Sequence, residues 1–137
     1  MNNLDNFIKK LRDSGLRPTK QRLKICEVLF TPEKTFHFTV SDLTKIIETQ
    51  LSEKISLATV YNTVHAFKKK GYLKEISMNS DKTYFDTNTS HHHHFFDSST
   101  KELTDLSDDQ VEKIKINKAL PGKKISSVEI LVKVENE

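Results

Sequence analysis

The chain has 137 residues, of which 35% are hydrophobic, and its formal net charge is +3. This size suits one globular unit or two small ones, and the lack of a long apolar run argues against a transmembrane helix. The segment from Met1 to Leu11 also lacks the apolar centre of a signal peptide. We therefore expect a cytoplasmic protein that does not bind membranes.

The charge is divided unevenly along the chain. Residues 1–86 carry fifteen Lys or Arg against ten Asp or Glu, a balance of +5, whereas residues 87–137 carry seven against nine, a balance of −2. The first part is therefore the candidate for binding a polyanion such as nucleic acid.

Four short helices are predicted in this first part. An apolar stripe over 4–11 ends at Ser14-Gly15, and a second helix runs from Pro18 to Thr31. A third helix begins after Thr39 or Ser41, and a fourth extends from Ser56 to Gly71. Helices three and four, joined by a short linker, are typical of a helix-turn-helix.

The only cysteine lies on the apolar face of the second helix. Cys26 has the helical spacing of Leu23 and Leu29, which predicts a buried and inert thiol. A single cysteine also excludes a disulfide framework and a CxxC zinc site.

A β-hairpin is predicted directly after the fourth helix. Tyr72–Ile76 and Lys82–Phe85 alternate with a period of two on either side of a polar turn, Asn79-Ser80-Asp81. A hairpin in this position is a wing, so the first part is predicted to be a winged helix.

The fourth helix offers small and polar side chains at its start, where a recognition helix reads base edges in the major groove. Basic side chains at the start of the second helix could meet phosphates or a minor groove. Any one of these residues taken alone could be merely solvated, and His65 is assigned no role. The predicted DNA-binding residues are Arg17, Lys20, Arg22, Ser56, Ala58, Thr59, Tyr61 and Asn62.

Four adjacent histidines follow Ser90 and precede Phe95-Phe96. A purification tag is disfavoured because the run is internal, with strand-like sequence on both sides. Buried imidazoles need partners for their nitrogens, so the run indicates a metal, a haem or water, unless it is a solvated loop.

These motifs resemble the Fur (ferric uptake regulator) family. The resemblance rests on Ser14–Arg22, on Leu57–Val64 and on the histidine run, in matching order and spacing. Within the family, the run looks most like that of Irr, the iron response regulator of alphaproteobacteria, whose signature is an Asp followed by three His and two Phe. Here His91 stands at the Asp position and adds a candidate ligand.

The resemblance implies an α+β fold with two domains. Residues 1–86 would form the winged helix-turn-helix DNA-binding domain, 86–90 a hinge, and 91–137 a small α/β domain for dimerisation and effector sensing. The sequence of this second part predicts a strand over 101–106, an acidic helix from Ser107 to about Lys118, and a closing strand over 125–134. The expected partners are a second copy of the chain and AT-rich, pseudo-palindromic double-stranded DNA.

The resemblance also implies two metal sites, each incomplete. His37, Asp86 and His93 match three positions of the sensing site, but the fourth falls at Phe95. His92, His94 and Glu112 match the other site, whose late histidine is missing. Three such ligands plus water could hold Fe²⁺, Mn²⁺ or Zn²⁺. The structural zinc that many relatives bind through CxxC pairs has no counterpart after the cluster.

The Irr resemblance further implies haem binding by His92, His93 and His94, with Phe95-Phe96 covering the porphyrin or packing in a dimer core. The function so implied is a dimeric, haem-responsive transcriptional regulator of iron homeostasis. A Mn²⁺-, Fe²⁺- or Zn²⁺-dependent sensor is the alternative. A metal-dependent hydrolase is a distant one, because no HExxH pattern is present.

Overall fold

The computed structural model describes residues 2–78 and 81–137. The chain divides into two compact units, residues 1–89 and 90–137. The first is mainly helical and the second is built on a small sheet, so the predicted α+β fold class is confirmed. The assignment of DNA binding to one domain and dimerisation to the other stays a prediction here.

The first unit contains four helices, and their caps explain where they start and end. Ser56 and Gly71 bound the last helix as predicted, and Thr39 and the carboxylate of Asp42 form a capping box at the third. The second helix begins two residues after Pro18, with Thr19 as its N-cap. The helices are α1 (Asn3–Asp13), α2 (Lys20–Phe30), α3 (Val40–Leu51) and α4 (Leu57–Lys70).

A three-stranded sheet completes the first unit. It comprises β1 (His37–Phe38), β2 (Lys74–Ile76) and β3 (Tyr84–Asp86) in the order β1-β3-β2, and both pairings are antiparallel. Strands β2 and β3 form the predicted wing, although Asn79 and Ser80 of its predicted turn lie outside the described residues. Strand β1 was not predicted, because a two-residue strand exists only through its pairing with β3.

One apolar core holds these elements together. Its members are fully or almost fully buried, and Cys26 lies among them as predicted. Burial of this kind is the main favourable term in folding. The buried core side chains are Phe7, Leu11, Ile25, Cys26, Val28, Leu29, Phe38, Leu43, Ile47, Ile55, Val60, Val64, Phe67, Leu73 and Phe85.

The second unit contains a three-stranded sheet of its own. Strand β4 (His93–Asp97) is central, antiparallel to β5 (Glu102–Leu106) and parallel to β6 (Leu131–Val134). The predicted strand over 101–106 is therefore confirmed, whereas the closing strand is shorter than the predicted 125–134.

The helix predicted from Ser107 to Lys118 is wrong. Only a 3₁₀ turn forms, over Asp108–Gln110, and residues 111–130 adopt no regular helix or strand. The apolar residues of this segment remain largely exposed, with Ile114 at 42% and Ile116 at 51%. Helices draw most of their stability from packing an apolar face, so a serine cap followed by acidic residues does not suffice here.

Among the helices of the described residues, none is both long and apolar enough to cross a bilayer.

Candidate nucleic-acid interface and metal centre

Helix α4 has one face in the core and one in solvent. Val60, Thr63, Val64 and Phe67 are buried on the first face. Ala58, Tyr61 and Asn62 are exposed on the other, where a major groove could reach them. The structure thus brings these three predicted contact residues onto a common surface.

The other two predicted residues at the start of α4 already have a structural role. The Ser56 hydroxyl accepts a hydrogen bond from the Thr59 backbone N–H at 3.2 Å and donates to the Thr59 hydroxyl oxygen at 2.9 Å. Ser56 is the N-cap of α4, so its presence is explained without DNA.

The start of α2 is basic although a helix N-terminus favours anions. Lys20 is its first residue, its first turn has no acidic residue, and the Arg22 guanidinium donates to the Arg17 carbonyl oxygen at 3.0 Å. Cations here oppose the helix dipole at a small cost in stability. Such an arrangement is expected where an external polyanion compensates them.

The first unit also holds a buried carboxylate against a histidine. His37 and Asp86 are opposite each other on β1 and β3, and His37 Nε2 lies 3.2 Å from Asp86 Oδ2. Asp86 is fully buried, and its other oxygen accepts the Asn88 backbone N–H at 2.8 Å. The two residues predicted to share a metal site in this unit are therefore in contact.

The histidine run in the second unit is separated onto two faces. Because successive side chains alternate along a strand, His92 and His94 share one side of the chain, and His91 and His93 share the other. The ring centroids are 4.5 Å apart in the first pair and 5.1 Å apart in the second. His92, His93 and His94 are each at most 5% exposed.

Asp105 joins the face of His92 and His94. It lies opposite His94 on β5, and its Oδ1 is 3.4 Å from His92 Nε2 and 3.5 Å from His94 Nε2. His92 Nδ1 lies 2.7 Å from the Ser90 carbonyl oxygen, to which only an N–H can donate. In the neutral ring Nε2 is then the unprotonated nitrogen. This Nε2 faces the Asp105 Oδ1 atom. Both atoms are hydrogen-bond acceptors, so their approach requires a proton or a cation between them.

Asp108 joins the face of His91 and His93, but the protons are arranged differently. His93 Nδ1 accepts the Ile130 backbone N–H at 3.0 Å, so Nε2 carries the proton of the neutral ring and donates to Asp108 Oδ1 at 3.0 Å. His91 Nε2 donates to the Val128 carbonyl at 3.0 Å and leaves Nδ1 3.5 Å from Asp108. His93 is thereby satisfied as a structural hydrogen-bond donor.

A cavity of about 390 Å³ adjoins this second face. Glu112 lines it together with His91, His93 and Asp108. The predicted set of His92, His94 and Glu112 is therefore grouped differently in the structure, where Asp105 occupies the position expected of Glu112.

Comparison with known proteins shows which family the candidate DNA-binding surface and the candidate metal centre belong to. The family model of the ferric uptake regulator family matches residues 13–133. The ferric uptake regulation protein of Vibrio cholerae is 38% identical over 103 residues, which cover 74% of this chain and 67% of that protein. This chain belongs to the ferric uptake regulator family.

Regulators of this family are metal-dependent, bind DNA and act as dimers. The chain is accordingly a transcriptional regulator and not an enzyme, which confirms that prediction. The Irr subgroup and a response to haem are finer statements, and they stay predictions.

Solved structures of the family share the fold. The crystal structure of the Vibrio cholerae ferric uptake regulator has a TM-score of 0.72 and 28% sequence identity, covering 94% of this chain and 98% of that one. The Pseudomonas aeruginosa regulator, solved with manganese, has a TM-score of 0.68 and 21% identity, covering 96% and 98%.

Two acidic residues of the candidate metal centre were missed in the sequence. Asp105 and Asp108 follow the histidine run by more than ten residues, and only the pairing of β4 with β5 brings Asp105 to His94. The predicted strand over 101–106 was the available signal, because side chains alternate along a strand and Asp105 then shares a face with Leu103.

The Cys26 thiol lies in the apolar core and belongs to neither candidate site. It is fully buried, and burial raises the pKa of the Cys26 thiol to about 12. A thiol of this kind is a poor nucleophile and a poor ligand at neutral pH.

Proposed function

We propose that the chain is a dimeric regulator that binds AT-rich, roughly palindromic DNA when a divalent first-row cation is bound by His92, His94 and Asp105. The orientation of the His92 ring carries the proposal. Its Nδ1–H is fixed on the Ser90 carbonyl, and its Nε2 lone pair is aimed at the Asp105 carboxylate 3.4 Å away. Such orientation of a ligand histidine by a second hydrogen bond is typical of metal sites.

The three side chains suit the cations of the metal-dependent sensor, which is the alternative function predicted from the sequence. Two imidazole nitrogens and a carboxylate oxygen suit Zn²⁺, Mn²⁺ or Fe²⁺, and the ligand atoms of the three residues lie within 4.8 Å of one another. When bound, the cation would neutralise the carboxylate and link β4 to β5. His37, Asp86, His93 and Glu112 remain predicted ligands by family resemblance, and His91 remains the additional candidate ligand.

The proposed DNA-binding surface rests on the charge and the helix face described above. Asn62 can bond adenine, Ala58 can contact a thymine methyl group, and both favour AT-rich sequence. Arg17 and Lys20 would meet phosphates. A two-fold symmetric dimer presents two such surfaces, which accounts for a palindromic target.

Haem is the second effector hypothesis, and it comes from the Irr resemblance. Phe95 and Phe96 are half-buried on β4, and an aromatic pair beside a histidine could cover a porphyrin. However, the His92, His93 and His94 rings are buried, and His93 uses both nitrogens within the chain. These contacts support direct metal sensing above haem sensing.

The test is fluorescence anisotropy of a labelled AT-rich palindromic duplex at fixed salt, because affinity for DNA depends steeply on salt. Metal-free protein is titrated with Mn²⁺, Fe²⁺ under anaerobic conditions, Zn²⁺ and hemin in parallel, and its mass is measured to establish the dimer. We expect binding to require one of the divalent cations and to be reversed by a chelator. Release by hemin with no metal requirement would favour the haem hypothesis instead.

A matched pair of variants on β5 locates the site. Asp105→Asn removes the proposed carboxylate ligand, whereas Glu102→Gln makes the same charge change at an exposed position of the same strand. Loss of an oriented ligand should raise the metal concentration needed for DNA binding by at least 10-fold in the first variant only. Equal behaviour of the two would remove Asp105 from the site.

A further inference from the structure

His65, for which the sequence predicts no role, lies one helical turn after Tyr61 on α4. The two ring centroids are 4.1 Å apart and the planes are inclined by 33°. Tyr61 is 51% exposed, so this contact covers one face of the phenol ring and leaves the rest in solvent. Residues four apart on a helix are neighbours, which makes the pair local to α4.

The other side of His65 rests on the wing. Its ring is edge-on to Phe85 of β3, with centroids 5.6 Å apart and planes at 82°. Phe85 is fully buried and stacks on Phe38 at 5.8 Å. His65 thus contacts both a fully buried core ring and an exposed ring of the proposed DNA surface.

The remaining surroundings of His65 are two surface grooves. It is half-buried and lines two surface grooves beside α4, one bounded by Thr39–Asp42 and Lys82, the other by Asp13–Gly15 and Lys69. The grooves leave part of the imidazole accessible, and its ring contacts are with Tyr61 and Phe85.

We infer that His65 is a positioning residue that holds the Tyr61 ring in its DNA-contacting orientation. An exposed tyrosine samples several rotamers, and ordering such a side chain on binding costs free energy. A ring packed on one side has fewer orientations to lose. The inference rests on the proposed function, in which the exposed face of α4 contacts DNA.

A double-mutant cycle tests this on the full chain, with an AT-rich palindromic duplex, saturating Mn²⁺ and fixed salt. The variants are His65→Ala, His65→Phe, Tyr61→Ala and the double Tyr61→Ala, His65→Ala. From the size of aromatic pair interactions, His65→Ala should weaken binding roughly 2- to 10-fold. His65→Phe keeps a flat ring and should stay within about 2-fold of the native affinity. In the Tyr61→Ala background, His65→Ala should cause no further loss.

Two results in this cycle would overturn the inference. If His65→Ala weakens binding equally with and without Tyr61, His65 acts on its own, by contacting DNA or by supporting the fold. If His65→Phe is as weak as His65→Ala, a polar group matters and the ring does not. Thermal unfolding of each variant identifies a loss that comes from the fold.

A second readout does not depend on DNA. The chain has three tyrosines, so 3-fluorotyrosine labelling gives three ¹⁹F resonances, and Tyr61→Phe assigns one of them. His65→Ala should shift the Tyr61 resonance and leave those of Tyr72 and Tyr84 in place. An unchanged Tyr61 line overturns the inference. If the native protein binds no duplex under any metal condition, the proposed function fails, and the ¹⁹F spectrum still decides whether His65 packs against the Tyr61 ring.

Discussion

The two units of this chain bury different kinds of side chain. The interior of the first is mainly apolar, with Asp86 and two threonines as buried polar residues, whereas in the second the buried residues of the described chain are Leu106 and the histidines His92, His93 and His94. Apolar side chains need only exclusion from water, but buried imidazoles need a partner for each nitrogen. The first unit should therefore be stable by itself, and the second should depend on protons, cations or a second copy.

The largest expected effect is a cavity in the first unit. Phe67 is fully buried and meets Phe30 edge-on at 5.4 Å. Phe67→Ala should lower the free energy of unfolding by about 3–5 kcal/mol. Urea unfolding followed by circular dichroism at 222 nm measures this, because every α-helix of the described residues lies in this unit.

Leu57 provides the control for that prediction. It lies on the same helix and is 56% exposed, so Leu57→Ala should change the free energy of unfolding by about 0.5 kcal/mol or less. Similar losses in the two variants would contradict the view that an apolar core centred on α4 stabilises this unit.

A bound cation should stabilise the second unit selectively. At a free metal concentration of about 100 times the dissociation constant, linkage gives about 2.7 kcal/mol. Hydrogen exchange should then show increased protection of β4 and β5, with little change in α1 or α2. Asp105→Asn should lose this protection and Glu102→Gln should keep it. Metal protection that survives in Asp105→Asn would place the cation elsewhere.

Contacts with DNA should separate into two classes of smaller effect. Asn62→Ala should cost about 1–3 kcal/mol, and only on duplexes that retain the adenine it reads. Lys20→Ala should weaken binding to all sequences alike and reduce the slope of log K against log salt by about 1. Competition binding with substituted duplexes at several salt concentrations distinguishes them. An Asn62→Ala loss that is the same on every sequence would argue against base reading.

Elements whose ends are set by local signals were predictable from the sequence. The ends of α4 follow from a serine cap and a glycine at φ 85°, and both signals lie within a few residues of the elements they bound. The wing followed from period-two alternation. In contrast, β1 has two residues and depends wholly on β3, so no local pattern reveals it.

The second unit shows what local patterns leave undetermined. Ser107 and the acidic residues after it predicted a helix, yet only a 3₁₀ turn forms, and Ile114 and Ile116 of the following segment remain exposed. The metal ligands depend on strand register in the same way. Alternation could have paired His92 with His94, but the position of Asp105 is set by the pairing of β5 with β4.

The smallest expected effect at neutral pH concerns Cys26, and it grows as the pH rises. Burial raises the pKa of its thiol from 9.0 to about 12, so the unfolded chain releases this proton from about pH 9 while the folded chain keeps it. The stability that this contributes is complete below pH 9 and is lost progressively between pH 9 and 12. Lysines and tyrosines titrate over the same range, so the useful quantity is the stability difference between the native chain and Cys26→Ala, which should fall with rising pH.

A constant difference would mean that the thiolate is tolerated in the core. Iodoacetamide should then label the native protein at pH 8, where we expect no reaction without unfolding.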